Sequence, residues 1–191
     1  VLRLMKIKLK RFKIVKSTND IAIKLIKKNV TTPVLISSEK QTGGRGRVGK
    51  KWVSQKGNLF ISIFFKLERK KISFKQFSIL NALFIKKIIL RDFSKEIKIK
   101  WPNDLTFMKQ KFCGILQETM KFNNFNYLIV GIGLNTNVSP KNKDFQSTSL
   151  KNIVNRKINN QKILRNILNM YGKFLDETER LSFSSLKRKY K

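Results

Sequence analysis

The sequence predicts an α+β fold in which helices pack on a mixed β-sheet, and three observations lead there. Segments of strand composition outnumber the helical stretches between them, so the chain lacks the regular alternation of a doubly wound sheet. From about Phe74 to Leu90 apolar residues recur at helical spacing, as at Phe77, Leu80, Phe84 and Ile88. With 191 residues and 41% apolar content, the chain suits one domain, residues 1–191, with a substantial core.

Taken in order, Phe12 to Val15 reads as a short strand, and Ser17 opens Ser-Thr-Asn-Asp, a cap for an amphipathic helix through about Lys28. Pro33 helps end the connection to an apolar strand, Val34 to Ser38. A loop rich in glycine and basic residues, Glu39 to Asn58, leads to a strand of aromatic and branched residues, Leu59 to Phe65. After the Phe74 helix, Ile97 to Lys100 alternates as a strand and runs into Trp-Pro-Asn-Asp. There Pro102 interrupts the ladder and the Asn and Asp side chains can fix a turn. Trp101 is expected to pack in the core. Leu105 to Met108 and Phe112 to Thr119 form a hairpin around Lys109 and Gln110, and Tyr127 to Leu134 follows an Asn-rich turn at Asn123 to Asn126. Beyond a polar loop around Pro140, helices from about Thr148 carry core residues such as Ile163, Ile167, Met170 and Phe174.

No apolar run reaches the roughly 18 residues of a bilayer span, and the start lacks the apolar core of a signal peptide, so a cytoplasmic protein without a membrane partner is expected. Cys113 is the single cysteine and histidine is absent, which excludes disulfides within the chain, zinc sites of Cys/His type and histidine acid–base chemistry. A net charge of +32 would suit a nucleic acid, through counterion release. Yet Lys, Asn, Ile and Phe are all abundant and all encodable by A and T alone, and the basic residues are spread over nearly the whole chain. Coding bias explains this better than a dedicated binding face, and no specific DNA partner is expected.

Against that background two arginines, Arg45 and Arg47, share one loop although arginine supplies only 10 of the 43 basic residues, and five of the nine glycines fall between Gly43 and Gly57. Guanidinium offers carboxylate or phosphate a planar fork that lysine cannot copy. Gly44 to Gly49 matches the dinucleotide fingerprint and Gly44 to Lys51 nearly matches a P-loop, but in both motifs the loop opens a helix, and this one leads into a strand.

The run Glu39-Lys-Gln-Thr-Gly-Gly-Arg-Gly-Arg-Val-Gly-Lys-Lys-Trp52 resembles the biotin-binding loop of biotin protein ligases. Three further segments agree in order and spacing: Ser17-Thr-Asn19, Lys100-Trp-Pro-Asn-Asp104 with Lys111 and Gly114-Ile-Leu116, and Gly131-Ile-Gly-Leu-Asn135. The resemblance implies the biotin–lipoate ligase catalytic fold, of class II aminoacyl-tRNA synthetase type. It implies an enzyme that joins biotin to AMP from ATP with Mg²⁺, then passes biotin to a lysine of a biotin carboxyl carrier protein. No enzyme nucleophile is needed for this, because biotin's own carboxylate attacks the α-phosphate. The site must supply positioning and positive charge.

By the same resemblance Arg45, Gly46 and Arg47 close over biotin and the phosphates, Ser17, Thr18, Asn19, Gln41 and Gly114 line the biotin site, and Lys111 sits at the biotin carboxylate and α-phosphate. Trp52, Asn103 and Asn135 frame the nucleotide with Asp104. Lys111 competes with the reading of one more surface lysine, and Asp104 with that of a turn cap. If Asp104 is functional, it serves metal–nucleotide binding or deprotonation of the acceptor lysine, and the sequence does not choose. Cys113 reads as a small buried hydrophobe. No protein-borne metal site is expected. Glycine content and mutual repulsion among Arg45, Arg47, Lys50 and Lys51 predict a loop that is open when free and ordered by ligand.

The family's N-terminal helix-turn-helix and C-terminal SH3-like domain have no counterpart in this sequence, so a monofunctional enzyme, monomer or homodimer, is expected. The rival enzyme reading is a lipoate protein ligase, and the rival binding reading is a basic nucleic-acid binder on a decayed ligase scaffold.

Overall fold

A computed structural model describes residues 6–67, 72–91, 93, 96–141 and 145–191. Its strands are β1 Lys8–Val15, β2 Val34–Gln41, β3 Leu59–Lys66, β4 Ile97–Lys100, β5 Asp104–Phe107, β6 Gln110–Phe122 and β7 Phe125–Leu134. Its helices are α1 Thr18–Lys27, α2 Phe74–Leu90, α3 Leu150–Val154, α4 Asn160–Arg180 and α5 Phe183–Tyr190. The strands form one sheet in the order β1-β2-β3-β7-β6-β5-β4. Only the β1–β2 pair is parallel, joined through α1, and every other pair is antiparallel. This is the mixed sheet the strand-rich pattern predicts.

Side-chain alternation divides the sheet's two faces. In β7, Leu128, Val130, Ile132 and Leu134 join the large core under α2, α4 and α5. Phe84, Tyr171, Phe174 and Tyr190 stack at its centre, with ring centroids 4.6–5.8 Å apart. Tyr127 and Ile129 point the other way, into a smaller core with Ala22 and Ile26 of α1 and Val34, Ile36 and Phe64. Continuing along that face, the next two positions of β7 are Gly131 and Gly133. The α1 face is therefore filled at one end and bare at the other, and the bare end holds the cavity described below.

Several boundaries differ from the sequence reading for identifiable reasons. β2 runs on past Ser38, because Ile14 and Val15 pair with Lys40 and Gln41. Ser17 occupies the N-cap position of α1 but makes no side-chain cap hydrogen bond. The β5–β6 turn is Met108–Lys109, both at positive φ, one residue earlier than expected; Asn123–Asn124 makes the equivalent turn before β7. Part of the polar connection around Pro140, residues 142–144, lies outside the described residues. Trp101 is not in the core: it is 62% exposed, because it lies past the last paired residue of the edge strand β4, next to a cis Pro102. Met170 is only partly buried, whereas Ile163, Ile167 and Phe174 are core residues as expected.

Candidate active site

A cavity of about 460 Å³ opens on the α1 face of the sheet, where glycine replaces side chains. Gly114 and Gly133 are cross-strand partners, and the indole of Trp52 lies against both. A Cβ on Gly114 would come within 2.7 Å of Trp52 Cζ3, and one on Gly133 would collide with the indole nitrogen. Likewise a Cβ on Gly131 would strike the Asn19 amide. The two glycines at the end of β7 thus clear space for an aromatic ring and an amide.

One end of the cavity is a neutral hydrogen-bonding network where α1 begins. Gln41 Oε1 accepts from the Thr18 backbone N–H at 2.8 Å and from its hydroxyl at 3.1 Å. This satisfies a helix N-terminal donor that Ser17 leaves open. The Ser62 hydroxyl lies between Thr18 Oγ1, at 2.7 Å, and Asn19 Oδ1. Gln41 Nε2 donates to Ser54 Oγ at 2.9 Å, which ties the network to the segment after the glycine loop.

The opposite end is charged. Lys111 Nζ stands 2.8 Å from Asp104 Oδ1, off the line of a hydrogen bond, and the pair is largely buried. The ammonium also faces two rings, 5.1 Å from the Trp52 centroid and 4.9 Å from that of Phe145. The Lys111 backbone is pinned by Gln146 and Thr148, with bonds of 2.9 and 3.0 Å. Asn103 donates to the Ile115 carbonyl at 2.8 Å and accepts from Arg47 at 3.2 Å. Lys100 and Lys109 complete this basic wall. Cys113, behind it, is fully buried, and that burial pushes its thiol pKa far up, so it is no nucleophile.

The glycine loop folds over the cavity as a small hairpin. Arg45 bridges Lys51, Gly46 N–H donates to the Lys50 carbonyl at 2.6 Å, and Lys50 N–H to that of Arg47 at 3.1 Å. Its tip, Val48–Gly49, has positive φ at both positions, which for a β-branched valine is strained. Arg45 does not reach into open space: it donates to Asp20 and, through Nη2, to both oxygens of Glu118 at 2.9 and 3.0 Å. Burial disfavours its charge, but the hydrogen bonds and charges of the two carboxylates outweigh that and raise its pKa.

Of the thirteen residues singled out from sequence, Ser17, Thr18, Asn19, Gln41, Arg45, Gly46, Arg47, Trp52, Asn103, Asp104, Lys111 and Gly114 all line this cavity. Asn135 does not. It is 2% exposed and donates to the Thr148 carbonyl at 3.2 Å, anchoring the segment before α3. Sequence reasoning missed Asp20, Glu118 and Phe145. Period-two alternation from Gly114 puts Glu118 on the cavity face and was a usable signal. Phe145 comes from a loop and gave none.

The family model described as "Biotin/lipoate A/B protein ligase family" matches residues 11–135. "Bifunctional ligase/repressor BirA" of Bacillus subtilis is 30% identical over 167 residues, 84% of this chain and 51% of that protein. "Biotin--[acetyl-CoA-carboxylase] ligase" of Mycobacterium tuberculosis is 27% identical over 122 residues, 61% of this chain and 44% of that protein. The chain thus spans about half the length of these relatives. The solved structure of a biotin protein ligase from Aquifex aeolicus, in complex with biotin and ATP, matches with a TM-score of 0.80 at 30% identity. That match covers 96% of this chain and 76% of the other.

Proposed function

The chain belongs to the biotin/lipoate A/B protein ligase family, and from that premise we propose that it is the catalytic domain of an ATP-dependent biotin protein ligase. Its fold is the family's catalytic fold, a mixed sheet of class II aminoacyl-tRNA synthetase type. The observation that carries the functional reading is convergence. Residues from Ser17 to Gly114 meet in one cavity with a neutral amide-and-hydroxyl end and a basic end. Such a cavity suits a ligand with a polar uncharged head and a carboxylate that must meet a phosphate.

In the first step a biotin carboxylate oxygen bonds to the α-phosphorus of ATP while the bond to pyrophosphate breaks. Thr18, Asn19 and Gln41 hold the head group, and Trp52, flat on Gly114 and Gly133, walls the site from water. Lys111 and Arg47 offset the repulsion between two anions, electrostatic help that needs no proton transfer. Asp104 Oδ1 is buried and accepts no hydrogen bond, its described partner being the Lys111 ammonium at 2.8 Å. Once Lys111 turns to the substrate anions that oxygen is left for a cation, and one carboxylate is a usual protein share in holding Mg²⁺ on substrate phosphates. The residues thus fit the metal, which when bound would neutralise phosphate charge. In the second step the amine of an acceptor lysine attacks the mixed anhydride and AMP leaves. The acceptor is a biotin carboxyl carrier protein, as part of acetyl-CoA carboxylase. The reaction runs in the cytoplasm, where ATP is present and the single thiol stays reduced.

The test is to incubate the protein with biotin, ATP, Mg²⁺ and a carrier domain, following pyrophosphate release and acceptor mass. Release that depends on biotin, with a biotinylated acceptor, is expected. Release that depends on lipoate and not on biotin would overturn the substrate assignment.

A further inference from the structure

Arg45 was expected at the phosphates, but its surroundings point elsewhere. Its single positive charge is shared by two carboxylates, one from α1 and one from β6, so the trio Arg45, Asp20 and Glu118 carries a net negative charge. An incoming phosphate would meet that charge before it met a free guanidinium. Arg47, two residues on, donates only to the neutral Asn103 Oδ1 among its described contacts and keeps its charge for an anion. Glu118 holds a second group as well: Asn19 Nδ2 donates to its Oε2 at 2.5 Å. One carboxylate therefore ties the head-group end of the cavity to the base of the loop hairpin.

We propose that Glu118, with Asp20, is a positioning residue that uses Arg45 as an anchor for the loop, so that Arg47 and not Arg45 meets the phosphates. Biotin, whose head group Asn19 faces, and the loop are then coupled through Glu118. A head group that orders Asn19 also orders the carboxylate on which Arg45 rests. This rests on the biotin ligase reading of the cavity, but the clamp itself is testable without it.

Two measurements separate the anchor from a phosphate ligand. The first needs no activity. In limited trypsin digestion the Arg45–Gly46 bond should resist in the wild type and become cleavable in Glu118→Gln and in Asp20→Asn, while cleavage at every other site, the exposed loop tip from Arg47 to Lys51 included, stays as in the wild type. The second uses biotin-dependent pyrophosphate release. Glu118→Gln and Arg45→Met should each raise KM for biotin, by about tenfold, between the values usual for exposed ion pairs and for buried charge-assisted hydrogen bonds. The double variant should be no worse than the worse single one. Glu118→Asp should recover part of the loss. The opposite pattern would overturn the proposal: KM for ATP falling in Glu118→Gln because Arg45 is released to the phosphates, and rising in Arg45→Met with additive losses. Unchanged cleavage at Arg45 in both carboxylate variants would also overturn it. A wild type with no biotin-dependent release would refute the ligase reading alone, since the digestion pattern reports the clamp regardless.

Discussion

Lys111 and Asp104 face each other across β5 and β6 with 2.8 Å between ammonium and carboxylate, in a pair whose side chains are 17% and 19% exposed. A largely buried pair keeps both charges ready in a place where each is worth more than in water. Lys111 is expected to leave Asp104 for the substrate anions. Lys111→Ala should lower the rate of adenylate formation roughly ten- to more than a hundredfold, the worth of a charge-assisted contact to a desolvated anion. Lys109→Ala, at an exposed turn position on the rim, should cost far less. Equal losses at both positions would show that general positive potential, and not Lys111 itself, does the work.

The bare glycine surface under Trp52 leads to a second expectation. Gly114→Ala places a methyl group 2.7 Å from the indole and forces the ring off the sheet. In a Trp101→Phe background, which removes the exposed indole, the emission of Trp52 should shift to the red on Gly114→Ala, and KM for biotin and ATP should rise together. An unshifted spectrum with normal kinetics would mean that the ring has room to spare.

How much of this was legible can be argued from the same residues. The antiparallel hairpins and α2 follow from periodicity, and the cavity residues from short motifs whose members the fold brings together. What escaped the sequence depends on partners far along the chain. Gln41 looks like a loop residue because Glu39 and Lys40 interrupt the apolar run, yet pairing with β1 carries the strand through it. Trp101 reads as core by its size, whereas its position beyond an edge strand leaves it in solvent. Arg45 reads as a phosphate ligand from its loop motif, and nothing in that motif announces its partners Asp20 and Glu118, 25 and 73 residues away. The Met108–Lys109 turn lacks the Asn-Gly chemistry that marks such turns.

Cys113 offers a check on the core. Burial, with the nearby Asp104 charge adding to it, raises the thiol pKa despite the opposing charge of Lys111. A neutral-pH thiol reagent should therefore react only after denaturant is added. The unfolded chain loses this proton near pH 8.5 while the folded one keeps it, so stability is unaffected below that pH and falls above it. The slope approaches about 1.4 kcal/mol per pH unit for one group, until the buried Tyr171 phenol, also raised by burial, adds its share above about pH 10. In Cys113→Ala the decline between these two values should vanish, which thermal midpoints measured across the range would reveal. A native thiol that reacts at pH 7 would contradict the burial.

The last expectation concerns the loop tip. Arg47, Lys50 and Lys51 are exposed, like charges sit close together, and Val48 is held at a strained positive φ. The hairpin base is fixed by Arg45 and the Trp52 N–H bond of 2.9 Å to the Gly44 carbonyl, but among its described contacts Arg47 crosses the cavity only to a neutral amide. A tip so exposed opens at little cost, since solvent competes for the contacts it makes. Trypsin should therefore cut the free protein first between Arg47 and Lys51. An adenylate in the cavity gives Arg47 an anion to close on, and the closed tip shields the reactive anhydride from water. Biotin and ATP together should slow that cleavage selectively, with other basic segments, held by helix and strand packing, unaffected. In Gly46→Val the added Cβ comes within 3.3 Å of the Lys50 carbonyl, a tight contact that a small shift of the exposed loop relieves, and the side chain crowds the face toward the ligand. It should stay folded and yet lose both the protection and the retention of adenylate. Protection by ATP alone, or a tip that resists trypsin without ligand, would show that closure does not depend on the product of the first step.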